Sequence, residues 1–142
     1  MFTIARDRTR NITLARFEGE FSPDVIGQLD HAGELLVEAM GPTHFLFDFT
    51  GIDRVSMPDA TIAERGRRAP LCAGYQRVVV APQPEIFGLY LVFAAKQRDV
   101  GSSAPIMVRS MREALARLGV RRPAFEPLDM AAIERRAGRS LH

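Results

Sequence analysis

The sequence has one cysteine, Cys72, and one lysine, Lys96. A lone thiol can build neither a disulfide framework nor a thiolate metal site. Only the arginines upstream could lower its pKa, so packing rather than nucleophilic chemistry is the role expected of Cys72. No apolar run approaches the roughly 18–20 residues that a membrane-crossing helix needs. The opening residues, Met1 to Arg8, are charged too early for a secretory leader, and a cytoplasmic location is expected. Three catalytic signatures are missing as well: a Gly-x-Ser-x-Gly elbow, a P-loop and a strand followed by Gly-x-Gly-x-x-Gly. His31, His44 and His142 stand in no ligand-spaced cluster with Cys, Asp or Glu. These absences point away from an enzyme, a metal and a cofactor.

What is present is a balanced, core-forming composition. The 142 residues are 46% hydrophobic, enough for one domain with a real core. Residues 1–120 hold 14 basic and 14 acidic residues, whereas residues 121–142 hold five arginines against three acids. The high isoelectric point thus comes from a slight excess in the tail and not from a basic face. Nucleic-acid binding needs a clustered footprint, so no specific nucleic-acid partner is expected. The same division separates a domain over 1–120 from an appendage over 121–142. In the appendage Leu128, Ala132, Ile133 and Ala137 outline a weakly amphipathic helix. Three fates are open to it: docking on the domain, swapping to a partner chain, or fraying.

Along the chain, Phe2–Ala5 and Ile12–Phe17 read as strands around a polar turn, and the short link makes them an antiparallel hairpin. Ser22-Pro23-Asp24 combines an N-cap, a first-turn proline and an acid. The helix it starts places Val25, Leu29, Ala32, Leu36 and Ala39 on one stripe and ends at Gly41-Pro42. His44–Phe49 and Arg77–Ala81 have the apolar continuity of strands buried on both faces, and Pro105–Val108 is a shorter run of that kind. A helix from Pro84 carries Ile86, Leu89, Tyr90 and Phe93. Ser110 to Glu113 fits a capping box for a short helix that ends at Gly119. Strands alternating with helices after a hairpin predict an α/β fold. It is a mostly parallel sheet of about five strands, opened by the antiparallel hairpin, with helices packed on the sheet.

Function is expected in the stretch His44–Arg68. Thr50-Gly51 should break the buried strand and leave Asp48 at its carboxyl end, ahead of a helix that begins near Ser56. Proteins of the α/β class place ligands and partners there. Asp48 either accepts hydrogen bonds from the Thr50-Gly51 turn or takes part in recognition directly. Ser56 with Asp59 resembles an acidic capping box, with Pro58 tolerated in the first turn. Alternatively Ser56 is a phosphoacceptor whose phosphate would meet the positive end of the helix dipole. Arg65, Arg67 and Arg68 form either a solvated face or a site for an anion or an acidic partner.

The run Phe47-Asp48-Phe49-Thr50-Gly51-Ile52 ahead of a helix start, and the order of elements over roughly residues 2–119, resemble the STAS domain of anti-sigma-factor antagonists and anion-transporter tails. In that family a Leu-Asp-Leu-Ser-like strand leads to Asp-Ser-Ser-Gly at a helix start. A partner kinase phosphorylates a serine there and so breaks the complex. Asp48, Thr50 and Gly51 match at residue level. Ser56 then falls on the family's loop aspartate, Met57 and Pro58 replace the two serines, and Asp59 replaces the glycine. The resemblance therefore implies the fold and a regulatory role, but not the usual phosphoserine switch.

The leading expectation is a non-enzymatic regulatory domain that binds another protein through the Asp48–Asp59 loop and the second helix. Asp48, Thr50, Gly51, Ser56, Asp59, Arg65 and Arg109 are its candidate partner- or ligand-binding residues. The alternative is a small-ligand protein of the STAS/Sec14-like type, which would hold an anion, nucleotide or lipid on a rim of Asp48, Ala81 and Arg109. A third class is an enzyme using Asp48 with Arg109. The wide apolar helix over 86–95 either lines a lipid cavity or fills the core. A homodimer through an open hairpin edge is the remaining expectation.

Overall fold

The computed structural model describes residues 1–140, with side chains through Gly138; His142 lies outside the described residues. The strands are β1 (Phe2–Asp7), β2 (Ile12–Phe21), β3 (His44–Val55), β4 (Arg77–Val80), β5 (Ile106–Val108) and β6 (Glu126–Pro127). They form one sheet in the order β5-β4-β3-β2-β1-β6. β2 to β5 pair in parallel, and β1 is antiparallel to both β2 and β6. The helices are α1 (Pro23–Met40), α2 (Asp59–Gly66), α3 (Pro84–Asp99), α4 (Met111–Arg117) and α5 (Met130–Ser140).

Local chemistry explains the ends of these elements. Ser22 caps α1 by accepting from the Val25 amide at 3.3 Å, with Pro23 in the first turn. Gly41, at φ 85°, closes α1 by donating to the Val37 carbonyl. Ser110 caps α4 by accepting from the Glu113 amide at 3.2 Å. The hairpin turn uses Asn11 at φ 56°, a left-handed position that asparagine tolerates. The Asp7 carboxylate accepts from the Arg10 amide inside the same turn.

The sheet separates two apolar cores, because successive side chains of a strand point to opposite faces. On one face Ala15, Phe17, Phe49 and Val79 pack under Ile26 and Leu29 of α1, Ile62 of α2 and Ile86, Leu89 and Phe93 of α3. On the other, Ile12, Leu14, Leu46, Val78, Val80 and Val108 pack under Ala114 of α4. The buried stripe of α1 is Ile26, Leu29, Ala32, Gly33 and Leu36, rotated from the expected one, with Ala39 exposed. The apolar face of α3 fills the core, as one of its two readings had it.

The tail docks. From Val120 and Phe125, against the α4-side core, it crosses the β1 edge and places Leu128, Met130 and Ile133 on the α1 side. β6 pairs with Ala5 and Arg6, the Leu128 amide donates to the Ile4 carbonyl at 2.9 Å, and α5 packs on α1. The sheet therefore has a sixth strand, and the hairpin edge is covered at Ala5 and Arg6 rather than left open along its length. Pro127 suits this position, since an edge strand needs no donor from it.

Candidate functional site

Thr50-Gly51 does not end β3. The strand runs to Val55 because β2 is itself long and continues the ladder, with Glu18 opposite Gly51, Gly19 opposite Ile52 and Phe21 opposite Val55. Two register shifts give β3 one extra residue each, so the turn-like dipeptide marks a bulge inside a strand. Gly51 is required there. A Cβ on it would lie 2.6 Å from the Phe17 carbonyl oxygen.

Asp48 accordingly sits in mid-strand and not at a carboxyl end. It is buried, on the face shared with Leu46 and Val80, opposite Arg16 of β2. Its Oδ1 accepts from the Thr50 amide at 3.0 Å and its Oδ2 from Arg16 Nε at 3.3 Å. Both carboxylate oxygens thus have partners, which is the shaping role weighed above, carried out across a bulge rather than a turn. Gln83, which carries no motif or periodic signal that would single it out, braces the same segment. Its amide nitrogen donates to the carbonyls of Phe49 at 2.7 Å and Ile52 at 2.9 Å.

Ser56 does not cap a helix. α2 begins at Asp59 with Pro58 as its N-cap and no side-chain cap, because the prolonged β3 carries the chain two residues farther before it turns. The capping box expected of Ser56 and Asp59 is absent. Ser56 is exposed, its amide donating to the Phe21 carbonyl, while Met57 is buried in the core. Asp53, Arg54, Ser56, Pro58 and Asp59 form an exposed ridge. Beside it lies a groove of about 240 Å³ between the α2 start and α3, bounded by Met57, Asp59, Pro84, Glu85, Gly88 and Val92.

The two arginines are engaged elsewhere. Arg65 makes a two-point ion pair with Asp30 of α1. Burial works against its charge, but the bonds to Asp30 more than offset that and raise its pKa. Arg109 lies over the Phe87 ring at 4.2 Å. Among the described residues no hydrogen bond or ion pair joins any two of Asp48, Ser56, Asp59, Arg65 and Arg109. The rim of Asp48, Ala81 and Arg109 is not a cluster: Asp48 and Ala81 are buried, and only Arg109 is exposed. His31 faces Glu134 of α5 at 3.7 Å, and His44 accepts from the Gln76 amide at 2.9 Å. No group of His, Cys, Asp or Glu among the described residues could hold a metal ion.

No protein-family model and no curated protein matches this sequence. A solved structure does. It is the anti-sigma factor antagonist SpoIIAA in its unphosphorylated form, at 14% identity and a TM-score of 0.54, covering 84% of this chain and 98% of that one. The fold is STAS-like. At that identity the likeness extends to the path of the backbone and not to individual side chains. The STAS-like core is the six-stranded mixed sheet with its helices, and none of the described helices is long and apolar enough to cross a membrane.

Proposed function

We propose that this STAS-like protein is a non-enzymatic regulatory domain that binds a partner protein along the ridge 53–59 and the groove beside it. The observation that carries the proposal is the juxtaposition of an exposed charged ridge with exposed apolar side chains on α3. Val92 is 38% exposed at the groove beside the acidic Asp59 and Glu85, and Leu91, on the same helix, is 51% exposed. Apolar groups ringed by charge are the usual composition of a transient protein interface. A basic partner surface with an apolar projection suits it. Asp48, Thr50 and Gly51 act from behind, by holding the bulge that sets the height of the ridge.

A phosphoserine switch at the α2 start is not part of this function. Met57, buried, and Pro58, at the N-cap, have no hydroxyl to carry a phosphate. Ser56 has the exposure for modification, but it stands two residues ahead of the N-cap and next to the acidic ridge. A phosphate there would act by adding charge to the docking surface rather than by capping a helix.

Photo-crosslinking in the native cell tests the docking surface. A photoreactive residue at position 56 or 92 should capture one protein, and the same residue at 112, on exposed α4, should not. Asp59→Lys and Val92→Glu should each abolish the capture. Equal capture from all three positions, or capture that survives both substitutions, places the partner elsewhere or removes it.

A further inference from the structure

A second concavity lies away from the proposed docking groove, between α1, α3 and the segment 67–76 that joins α2 to β4. It encloses about 260 Å³. Its floor is the sheet, where Phe45 and Phe47 stand stacked, centroids 5.5 Å apart and rings 8° from parallel, next to Val79. Phe47 is half-buried although its neighbours Leu46 and Phe49 are fully buried on a central strand. An aromatic side chain left partly uncovered in mid-sheet is a surface that the protein's own helices do not close.

The wall carries a cation without an anion. Arg77 is half-buried, and its guanidinium donates to Gln97 Oε1 at 2.9 Å and to the Ser103 carbonyl, both neutral acceptors. Among the described residues no carboxylate lies within ion-pair distance of it. Gln97 in turn donates to the Gly66 and Arg68 carbonyls, so the guanidinium is fixed in place by a fully used amide. The other charges of the lining are accounted for: Arg65 and Asp30 satisfy each other, and Glu34 and Arg68 stand exposed at the mouth. A half-buried charge without a counter-charge gives up part of its hydration, and an incoming anion would offset that loss.

We propose that this cavity binds a small amphipathic monoanion, a carboxylate on a single aromatic ring or a short alkyl chain. Its carboxylate would pair with Arg77 and its apolar body would lie on Phe45, Phe47 and Val79. Size sets the class. A dry cavity of about 150 Å³ accepts benzene, and ligand pockets run from about 300 Å³ upward. At about 260 Å³ the site has room for one ring or a chain of similar bulk with its acid group, and not for a nucleotide or a two-chain lipid. The site is independent of the groove on the other flank of α3, so either can fail without the other.

Amide NMR titration of the full chain with octanoate and with 3-phenylpropanoate tests the site, using 1-octanol and 3-phenyl-1-propanol as neutral controls. At least one acid should bind saturably, about tenfold or more tighter than its alcohol, which is the effect of one ion pair. The shifts should centre on residues 45, 47, 77, 79 and 97. Arg77→Gln, which keeps a hydrogen-bonding group toward Gln97, should erase the preference for acid over alcohol. Should that variant not fold, the acid–alcohol comparison in the unaltered chain decides. Equal affinity for acid and alcohol, shifts centred on exposed Leu91 and Val92, no saturable binding, or an Arg77→Gln chain that keeps the preference would each overturn the proposal.

Discussion

Asp7 joins the hairpin turn to the tail, and replacing it with asparagine isolates what that junction contributes. Its carboxylate is buried and accepts three hydrogen bonds: from the Arg10 amide at 3.1 Å, from Arg10 Nη1 at 2.8 Å and from the Ala124 amide at 3.2 Å. Burial alone would raise the pKa of this carboxyl. The bonds from Arg10 and from the Ala124 amide, together with the Arg10 charge, outweigh burial and hold it below the ordinary value. Asparagine keeps the shape but loses the charge and one acceptor lone-pair set. Hydrogen bonds to charged groups contribute roughly 1.5–3 kcal/mol, and Arg10 is part-exposed, so about 2 kcal/mol is the expected loss in Asp7→Asn. For a chain of this length that is a fall in Tm of roughly 5–8 °C. The sign with pH follows from the lowered folded-state value. The contribution of the charge is complete above the unfolded pKa of about 3.9 and disappears as pH falls through the folded value. Urea unfolding from pH 7 downward should therefore show a constant gap between the two chains to about pH 5, closing below about pH 4. A gap under about 0.5 kcal/mol at pH 7, or one that persists undiminished in acid, would refute the role given to the carboxylate.

Two helical glycines should respond to alanine with opposite signs. Gly66→Ala puts a Cβ 2.7 Å from Lys96 Cβ and 2.8 Å from the Phe93 carbonyl oxygen, forcing α2 off α3, and should destabilise by about 1–3 kcal/mol. Gly27→Ala meets nothing within 4 Å on exposed α1 and should stabilise by about 0.5–1 kcal/mol; thermal denaturation reads both. Burial pushes the Tyr90 hydroxyl up to about 12, so in a phenolate absorbance titration one tyrosine should ionise there, and Tyr90→Phe should remove that step. Its contribution to stability is complete below pH ~10 and is lost as pH climbs through the folded value, a loss that Tyr90→Phe should not show. A double-mutant cycle on Asp30→Asn and Arg65→Gln should return a coupling of about 1 kcal/mol, since the pair is two-pointed but part-exposed; no measurable coupling would mean that α1 and α2 are not held together by it.

Elements that carry their own end signals were legible from the sequence. Ser22 and Ser110 each start a helix by accepting from an amide three residues on, and such bonds are written in nearby letters. The alternation of strands and helices, and hence the mostly parallel α/β sheet, followed from the same local signals, while the STAS likeness rested on the run 47–52 and the order of elements. The end of β3 is not legible because Thr50-Gly51 has the composition of a turn, and what overrides it is the pairing with β2, a strand distant in sequence. That one displacement moved everything built on it: Asp48 became a mid-strand residue and the α2 start slid from Ser56 to Asp59. β6 escaped notice because a two-residue edge strand has no periodicity to detect.

The partners of the candidate charges were illegible for a related reason. Arg16 lies 32 positions from Asp48, and Asp30 lies 35 from Arg65, so which charges are spent within the fold is a property of sheet order and helix packing. A sequence shows how many charges there are; only the fold shows which of them are answered by a counter-charge. Asp48 and Arg65, prominent in the sequence, are both answered by a neighbour. Arg77 looked like the first residue of a buried strand, and it is the one that the fold fixes at a cavity wall with neutral partners alone. Phe47, in a run of apolar neighbours, is left half-open beside it at the cavity lined by α1 and α3. A cation with neutral partners alone and a partly uncovered aromatic face meet at one site, and a single amphipathic anion would answer both.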